Sequence, residues 1–179
     1  MNQTLYSHRW MELREDANGE AYVKMAGDAV MVVALTPRSE VLLIREQSIA
    51  YQIETTSLPT GGIGDGELPE AAAGRELREE TGYRAHDLRN VGVLHPSVKY
   101  MQWLCHVYLA RDLERAPLKG DETSAVTVQP APWYAVDDLI ASRDLTDCTA
   151  IAALCLVRKY LDTHREQRAH WLQRLFESR

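Results

Sequence analysis

The stretch from residue 61 to residue 83, GGIGDGELPEAAAGRELREETGY, constrains the fold of this chain more than any other. Residues 69–81 are rich in Ala, Leu, Arg and Glu, which favour helix, so we predict a helix there. Pro69 suits the first helical position, where its missing N–H costs nothing, and Gly82 suits the position just beyond the helix end. A glycine-rich loop therefore leads directly into one short helix.

The predicted helix concentrates acidic side chains on one side. Residues three and four apart share a helix face, so Glu76, Glu79 and Glu80 converge on one patch, with Arg75 one turn before Glu79. Glu67, in the loop before the helix, joins this patch only if the loop folds back. Like charges at such spacings repel by roughly a few tenths of a kcal/mol per pair. A bound divalent cation such as Mg²⁺ would explain why the carboxylates lie together. The alternative is a solvated acidic helix face without a ligand.

The spacing is more specific than an acidic run. It reads Gly, five residues, Glu, seven residues, then Arg-Glu-Leu-x-Glu-Glu-x-Gly, and it resembles the signature of the Nudix hydrolases over its whole length. Two positions depart from the family pattern. Tyr83 stands where an aliphatic residue is more common, and Leu68 stands where a Ser or Thr helix cap is common. The missing cap should cost about 1 kcal/mol of helix stability.

The resemblance implies an α/β fold, an α/β/α sandwich with a mixed central sheet, preceded here by an N-terminal β-hairpin. It also implies metal-dependent hydrolysis of a nucleoside diphosphate linked to another group. The implied metal is Mg²⁺, with Mn²⁺ as an alternative. Arg75 is expected to orient the carboxylates through a salt bridge. The implied metal-ligand candidates are Glu76, Glu79, Glu80, the backbone carbonyl of Thr60 or Gly61, and Glu67.

A general base is also required by the resemblance, and the sequence offers two alternatives. In some family members a glutamate from a loop after the long strands activates water, and Glu122 occupies such a loop, with Asp121 beside it. The loop is equally well interpreted as a solvated turn. In that case Glu79 of the predicted helix serves as the base.

The rest of the chain is predicted to alternate between strands and helices. Asn18-Gly19 predicts a hairpin between residues 10–15 and 21–24. Further strands are predicted at residues 28–36, 41–44, 53–58, 88–94, 101–110, 126–128 and 133–134, a loop at 112–123, and helices at 136–142, from 147 or 149 to 161, and at 166–177. We divide the chain into a hairpin region (1–27), a Nudix domain (28–162) and a C-terminal amphipathic helix (163–179).

Outside the signature, residues 10–162 resemble the ADP-ribose and nucleotide-sugar pyrophosphatase branch. The chain departs from that branch at residues 46–48, where Gln-aromatic-Arg is usual, at Ser57, where Glu before Leu-Pro is common, and at residues 96–100, which replace a Pro-Gly…Glu element. Lys99 or Arg45 could hold a phosphate and Tyr100 could stack on a base, with plain packing as the alternative for each. We therefore predict a broad nucleoside-diphosphate-sugar range, with ADP-ribose first. Rival hypotheses are hydrolysis of nucleoside triphosphates or dinucleoside polyphosphates, and a non-catalytic ligand-sensing module.

The composition of the chain limits the classes of molecule to which this protein is expected to bind. The net charge of −6 and the absence of a basic cluster with interleaved aromatics argue against nucleic-acid binding. No apolar run approaches the roughly 20 residues of a membrane span, and the first residues lack the apolar core of a signal peptide. The cysteines Cys105, Cys148 and Cys155 form no CxxC pair, so we expect free thiols in a cytoplasmic protein. The branch resemblance implies a homodimer that binds a nucleotide-type small molecule.

Overall fold

The computed structural model describes residues 3–120 and 126–177, with side chains through residue 164. The strands are β1 (Gln3–His8), β2 (Met11–Glu15), β3 (Ala21–Met25), β4 (Ala29–Ala34), β5 (Glu40–Gln47), β6 (Glu54–Ser57), β7 (Thr60–Gly62), β8 (Tyr83–Leu94), β9 (Met101–Gln102), β10 (Cys105–Arg115) and β11 (Thr127–Pro132). The helices are α1 (Pro69–Thr81), α2 (Val136–Ala141) and α3 (Cys148–Glu177), and a 3₁₀ turn at Trp133–Ala135 precedes α2.

The central sheet is mixed and lies between two helices, as the resemblance implied. Its order is β7-β4-β10-β8, with β4 and β10 parallel and the other pairs antiparallel. Alternate residues of β4 point to opposite faces. Val30, Val32 and Ala34 pack with α1, whereas Met31 and Val33 pack with α3. The α/β/α sandwich therefore follows from one strand that is apolar on both faces.

Two further sheets flank the central one within the described residues. The order β1-β2-β3-β9 contains the predicted hairpin, in which Gly19 adopts φ +84° between the antiparallel strands β2 and β3. The order β11-β5-β6 includes the predicted edge strand β6. The loop from β6 to β7 joins this last sheet to the central sheet, and it leads directly to the glycine-rich segment before α1.

Several predicted elements differ in the structure. The strand predicted at 88–94 is β8, which begins at Tyr83, and the strand predicted at 101–110 is divided into β9 and β10. The predicted loop at 112–123 begins later, because β10 continues to Arg115 by pairing with β8 and by placing Leu113 against the core. The predicted strand at 133–134 is a 3₁₀ turn. The two predicted C-terminal helices are one helix, Cys148–Glu177, because no Gly or Pro interrupts residues 148–177. In the described part of the chain, no helix has the length and apolar character that a membrane crossing requires.

Candidate active site

Helix α1 has the bounds that the sequence predicted. Pro69 occupies its first turn, and Leu68 precedes it without a capping side-chain hydrogen bond. Gly82 ends it with φ +75°, and its N–H donates to the Arg78 carbonyl at 3.0 Å. Ala72, Ala73 and Leu77 are fully buried against the central sheet, and Glu76 and Glu80 are only 5% and 7% exposed. The helix thus holds two carboxylates at the edge of the core.

Arg75 lies at the centre of the acidic patch. Its Nη1 donates to Glu76 Oε1 at 2.6 Å and to Glu79 Oε2 at 3.2 Å. Its Nε and Nη2 donate to the two oxygens of Glu67 at 3.0 and 2.9 Å, and Nη2 also donates to the Gly62 carbonyl at 2.9 Å. The predicted salt bridge to Glu79 is therefore one part of a larger network that holds the loop and the helix together.

The loop before α1 folds back, which is the condition that Glu67 needed to join the patch. Glu67 Oε2 accepts a hydrogen bond from the Gly64 N–H, and the Glu67 N–H donates to the Gly64 carbonyl, both at 2.9 Å. Hydrogen bonds from Arg75 hold the pKa of Glu67 below its ordinary value, and the Glu67 carboxylate in turn raises the pKa of Arg75. Both groups are consequently ionised at neutral pH.

Strand β7 supports the glutamates from the opposite side. The Thr60 N–H donates to Glu80 Oε2 at 2.9 Å, and the Thr60 hydroxyl donates to the Val30 carbonyl at 2.8 Å. The Gly61 backbone lies directly against the Glu76 carboxylate and leaves no room for a Cβ atom. The sequence had suggested only backbone carbonyls of this strand as ligands. It did not predict that the Thr60 amide would orient Glu80, because the hydrogen bond joins two separate elements.

The candidate ligands fit a hard divalent cation in type, since all the side chains offer carboxylate oxygens. Among the described side chains, those of residues 3–120 and 126–164, however, no three or more of Asp, Glu, His or Cys form a ready-made cation cage. The Arg75 guanidinium instead hydrogen-bonds Glu67, Glu76 and Glu79. Mg²⁺ usually takes one or two protein carboxylates and completes its octahedron with water and phosphate oxygens. The side chains present are therefore of the type that such an ion takes as ligands.

The predicted substrate-binding residues lie elsewhere in the chain. Arg45 Nη2 lies 3.0 Å from Glu54 Oε2, and Arg45 lines a cleft of about 250 Å³ with Thr56 and Gln129. Lys99 Nζ lies over the Tyr100 ring, 5.0 Å from its centroid, and both line a cleft of about 320 Å³ beside the N-terminal hairpin. Neither cleft includes the glutamate patch in its lining, and the substrate role of these residues stays a prediction.

The candidate base Glu122, and Asp121 beside it, lie outside the described residues. The chain just before them is attached to the end of α1. The Ala116 N–H donates to the Gly82 carbonyl at 2.9 Å, and Arg78 Nε donates to the Ala116 carbonyl at 3.0 Å. The Leu118 N–H donates to the Arg78 carbonyl at 3.3 Å. Residues 116–118 therefore lie at the carboxyl end of the helix that carries the glutamates.

The chain is similar to known proteins over most of its length. Residues 25–154 match the family model described as NUDIX domain. The ADP compounds hydrolase NudE of Escherichia coli (strain K12) is 31% identical over 134 residues, which cover 75% of this chain and 72% of that protein. The ADP-ribose pyrophosphatase of Bacillus subtilis (strain 168) is 30% identical over 151 residues, 81% of each chain. A crystal structure of an ADP compounds hydrolase superposes with a TM-score of 0.80 at 28% identity, covering 92% of this chain and 93% of that one.

Proposed function

Because the chain belongs to the Nudix family, we propose that it hydrolyses the diphosphate linkage of nucleoside diphosphate-X compounds. The products are a nucleoside monophosphate and a phosphorylated X. The observation that carries the proposal is the network in which Arg75 binds Glu67, Glu76 and Glu79 beside a Glu80 that is oriented by the Thr60 amide. In this network, partly buried carboxylates with fixed orientations surround one end of a glycine loop.

We propose Mg²⁺, or Mn²⁺ in its place, as the cofactor. A bound divalent cation would neutralise phosphate charge and activate the attacking water. Glu76, Glu79 and Glu80 would hold it, together with a backbone carbonyl of Thr60 or Gly61, and Glu67 would complete the site or hold the loop. The position of Glu76 and Glu80 supports this assignment, because both carboxylates lie beside the Thr60–Gly61 backbone at the end of the glycine loop.

Each residue of the network has a distinct role in the proposal. Arg75 offsets part of the repulsion among the carboxylates and fixes their rotamers, so that less reorganisation is needed when a phosphate arrives. The Thr60 amide fixes the orientation of the Glu80 carboxylate through one of its oxygens. Glu122 takes the proton of the attacking water. If the loop that carries Glu122 is only a solvated turn, Glu79 is the base.

ADP-ribose and related nucleotide sugars are the proposed substrates. Two relatives, named as an ADP compounds hydrolase and an ADP-ribose pyrophosphatase, support this class. A GDP-mannose pyrophosphatase of Salmonella is also similar, at 27% identity over 156 residues, and supports a range that extends to nucleotide sugars. The retained glutamates argue against a sensor module that does not catalyse hydrolysis.

A substrate panel tests the proposal. ADP-ribose, GDP-mannose, UDP-glucose, NADH, diadenosine polyphosphates and several triphosphates are incubated with the protein and Mg²⁺ or Mn²⁺, and the products are separated. We expect AMP and ribose phosphate from ADP-ribose. Release of pyrophosphate from triphosphates alone would contradict the substrate class. No hydrolysis of any compound would contradict the proposal that the protein is an enzyme of this type.

Variants of α1 test the metal assignment. Glu76→Gln and Glu80→Gln keep the shape of the side chain and remove its charge, so we expect both to lose most metal-dependent turnover. Glu70→Gln is the matched control, because Glu70 is an exposed glutamate in the first turn of the same helix. Undiminished turnover in the Glu76→Gln and Glu80→Gln variants would show that the metal ligands are elsewhere.

We propose a homodimer that forms through the N-terminal sheet. Large apolar side chains are exposed on its strands and turns: Leu5 (47%), Tyr6 (56%), Trp10 (59%), Met11 (40%) and Leu13 (37%). Such a concentration on one sheet is typical of an interface. Light scattering should give twice the chain mass, and Tyr6→Lys with Trp10→Lys should give the monomer mass. A monomeric wild-type protein would overturn the proposal.

The proposed compartment is the cytoplasm. Cys148 and Cys155 are exposed free thiols, and Cys105 is a buried one, which suits a reducing environment. Cell fractionation with an antibody against the chain tests this localisation, and recovery of the protein in an oxidising compartment would contradict it.

A further inference from the structure

A buried serine and an aspartate join the end of strand β6 to the start of helix α3. Ser57, the last residue of β6, is 4% exposed, and its hydroxyl donates to Asp147 Oδ2 at 2.8 Å. The two residues are 90 positions apart in the chain. The hydrogen bond therefore connects the segment that leads to Thr60 with the segment that begins α3.

The second oxygen of Asp147 binds α3 itself. Asp147 Oδ1 accepts hydrogen bonds from the N–H groups of Thr149 at 2.8 Å and Ala150 at 3.3 Å, in the first turn of the helix. A carboxylate at this end of a helix is favoured both as a cap and by the helix dipole. One carboxylate consequently fixes the start of α3 with one oxygen and β6 with the other.

The five residues after Ser57 include the backbone groups that orient the glutamates. Leu58 is completely buried in the core, and the Pro59 carbonyl accepts a hydrogen bond from the Val32 N–H at 2.8 Å. Next, the Thr60 N–H donates to Glu80, Gly61 lies against Glu76, and the Gly62 carbonyl accepts from Arg75. A shift at Ser57 is passed along this short extended segment, because core packing leaves it little freedom to absorb the change.

We propose that Asp147 is a positioning residue, which acts through Ser57 to set the Thr60–Gly62 backbone and thereby the orientation of Glu80 and Glu76. The inference rests on the proposed function, since it assigns these glutamates to metal-dependent hydrolysis. It adds a link from the C-terminal helix to the reaction site. Asp147 does not touch the glutamates in this role; it acts at a distance through the strand that supports them.

The test compares variants that break the link in different ways. Ser57→Ala removes the donor and leaves the α3 cap. Asp147→Ser keeps a capping oxygen, but the shorter side chain no longer reaches Ser57. Ser57→Thr keeps the hydroxyl donor, and Asp147→Asn keeps an acceptor oxygen. Both conservative variants should therefore retain the hydrogen bond and behave like the wild-type protein. Ser142→Ala is the matched control, because it removes an exposed Ser–Asp hydrogen bond of the same length, 2.8 Å to Asp144 Oδ2.

Two measurements distinguish a positioning role of Asp147 from a general loss of protein stability. In Ser57→Ala and Asp147→Ser we expect the half-saturating Mg²⁺ concentration to rise and kcat to fall, together by about 10- to 100-fold, with the KM for the nucleotide unchanged. In the metal-free protein we expect faster amide hydrogen exchange in the peptide covering residues 58–63. The double variant should be no worse than either single variant, because both remove the same bond.

The outcomes are distinguishable from failure of the proposed function. If the wild-type protein hydrolyses no compound of the panel, the proposed function fails, and hydrogen exchange alone decides the positioning link. Wild-type exchange of residues 58–63 in both Ser57→Ala and Asp147→Ser would overturn the link. The link would also be overturned if Ser142→Ala changed the exchange of residues 58–63 as much as the Ser57 and Asp147 variants do. A third contrary result is an active Ser57→Ala protein whose Mg²⁺ dependence equals that of the wild type.

Discussion

The Glu76 carboxylate lies so close to the backbone of Gly61 that a side chain on residue 61 would occupy the same space. The atoms that a Cβ would meet are Cδ, Oε1 and Oε2 of Glu76, which form the end of a flexible side chain. The next residue, Gly62, has open space around the corresponding position. The observed orientation of Glu76 therefore requires glycine at position 61. At position 62 a Cβ atom would meet no neighbouring atom.

We expect Gly61→Ala to fold and to lose activity. The new methyl group displaces the Glu76 carboxylate, because a side-chain end moves more easily than the strand. A displacement of about 1 Å at a reacting site costs on the order of 100-fold in rate. The free energy of unfolding should fall by about 1–3 kcal/mol, because the displaced Glu76 carboxylate is nearly buried. Steady-state kinetics and urea unfolding measure both quantities, and Gly62→Ala, the control, should retain activity. Equal activities of the two variants would contradict the expectation.

Arg75→Lys should lower both activity and stability. A lysine ammonium is compact and cannot hydrogen-bond Glu67, Glu76 and Glu79 together, as the guanidinium does. We expect a loss of about 1–2 kcal/mol of unfolding free energy without divalent ions, since the network is partly buried, and a smaller loss when Mg²⁺ is present. Thermal unfolding with EDTA and with Mg²⁺ measures the difference.

Arg84→Lys is the control for that experiment. Arg84 pairs with Glu114 at 2.6 Å, but both side chains are more than half exposed. Exposed pairs contribute about 0–1 kcal/mol, so Arg84→Lys should have little effect with or without Mg²⁺. Equal losses in the two variants would show that the Arg75 network is no more than a surface ion pair.

Substitution by alanine should have opposite effects at Gly74, inside α1, and at Gly82, the residue just after it. Gly74 lies inside the helix with only ordinary contact to Leu88, so Gly74→Ala should stabilise the protein by about 0.5–1 kcal/mol. Gly82 has φ +75°, and a Cβ atom at this position would lie 3.1 Å from Arg115 Nη1. Gly82→Ala should therefore destabilise the protein by about 1 kcal/mol or more. Urea unfolding of both variants tests the prediction, and shifts of the same sign would contradict it.

The three cysteines should differ in reactivity. Burial raises the pKa of Cys105 to about 12, whereas Cys148 and Cys155 are exposed. The thiolate is the reactive form, so at pH 8 only about one Cys105 thiol in ten thousand is ionised. A colorimetric thiol reagent should therefore titrate two thiols in the folded protein and three after denaturation. Rapid reaction of all three in the folded state would contradict the burial of Cys105.

The same pKa shift gives a pH dependence with a definite sign. Above about pH 9, the ordinary value for the thiol, the unfolded chain releases the Cys105 proton while the folded chain keeps it. The unfolded state then binds fewer protons, so stability falls as the pH rises. Cys105→Ala should remove this part of the decline, although it creates a small cavity. Urea unfolding at pH 8 and pH 10 for both proteins measures the difference in slope.

Local sequence determined helix α1 and both of its ends, because helix propensity, Pro69 and Gly82 act within a few residues of one another. The apolar residues of β4 and the Asn18-Gly19 turn also predicted their elements correctly. Local sequence failed where a distant partner decides the outcome. The polar end of β10 is a strand because β8 supplies its hydrogen bonds. The division of α3 into two predicted helices was a different error, because the local sequence has no Gly or Pro to interrupt residues 148–177.

The sequence by itself therefore determined which side chains share the acidic face of α1, since helical spacing alone places Glu76, Glu79 and Glu80 together. Only the tertiary structure decided how those carboxylates are held. The hydrogen bond from Thr60 to Glu80 spans 20 positions, and that from Ser57 to Asp147 spans 90. Such contacts form when the core brings separate strands and helices together, and no local spacing encodes their distance or direction.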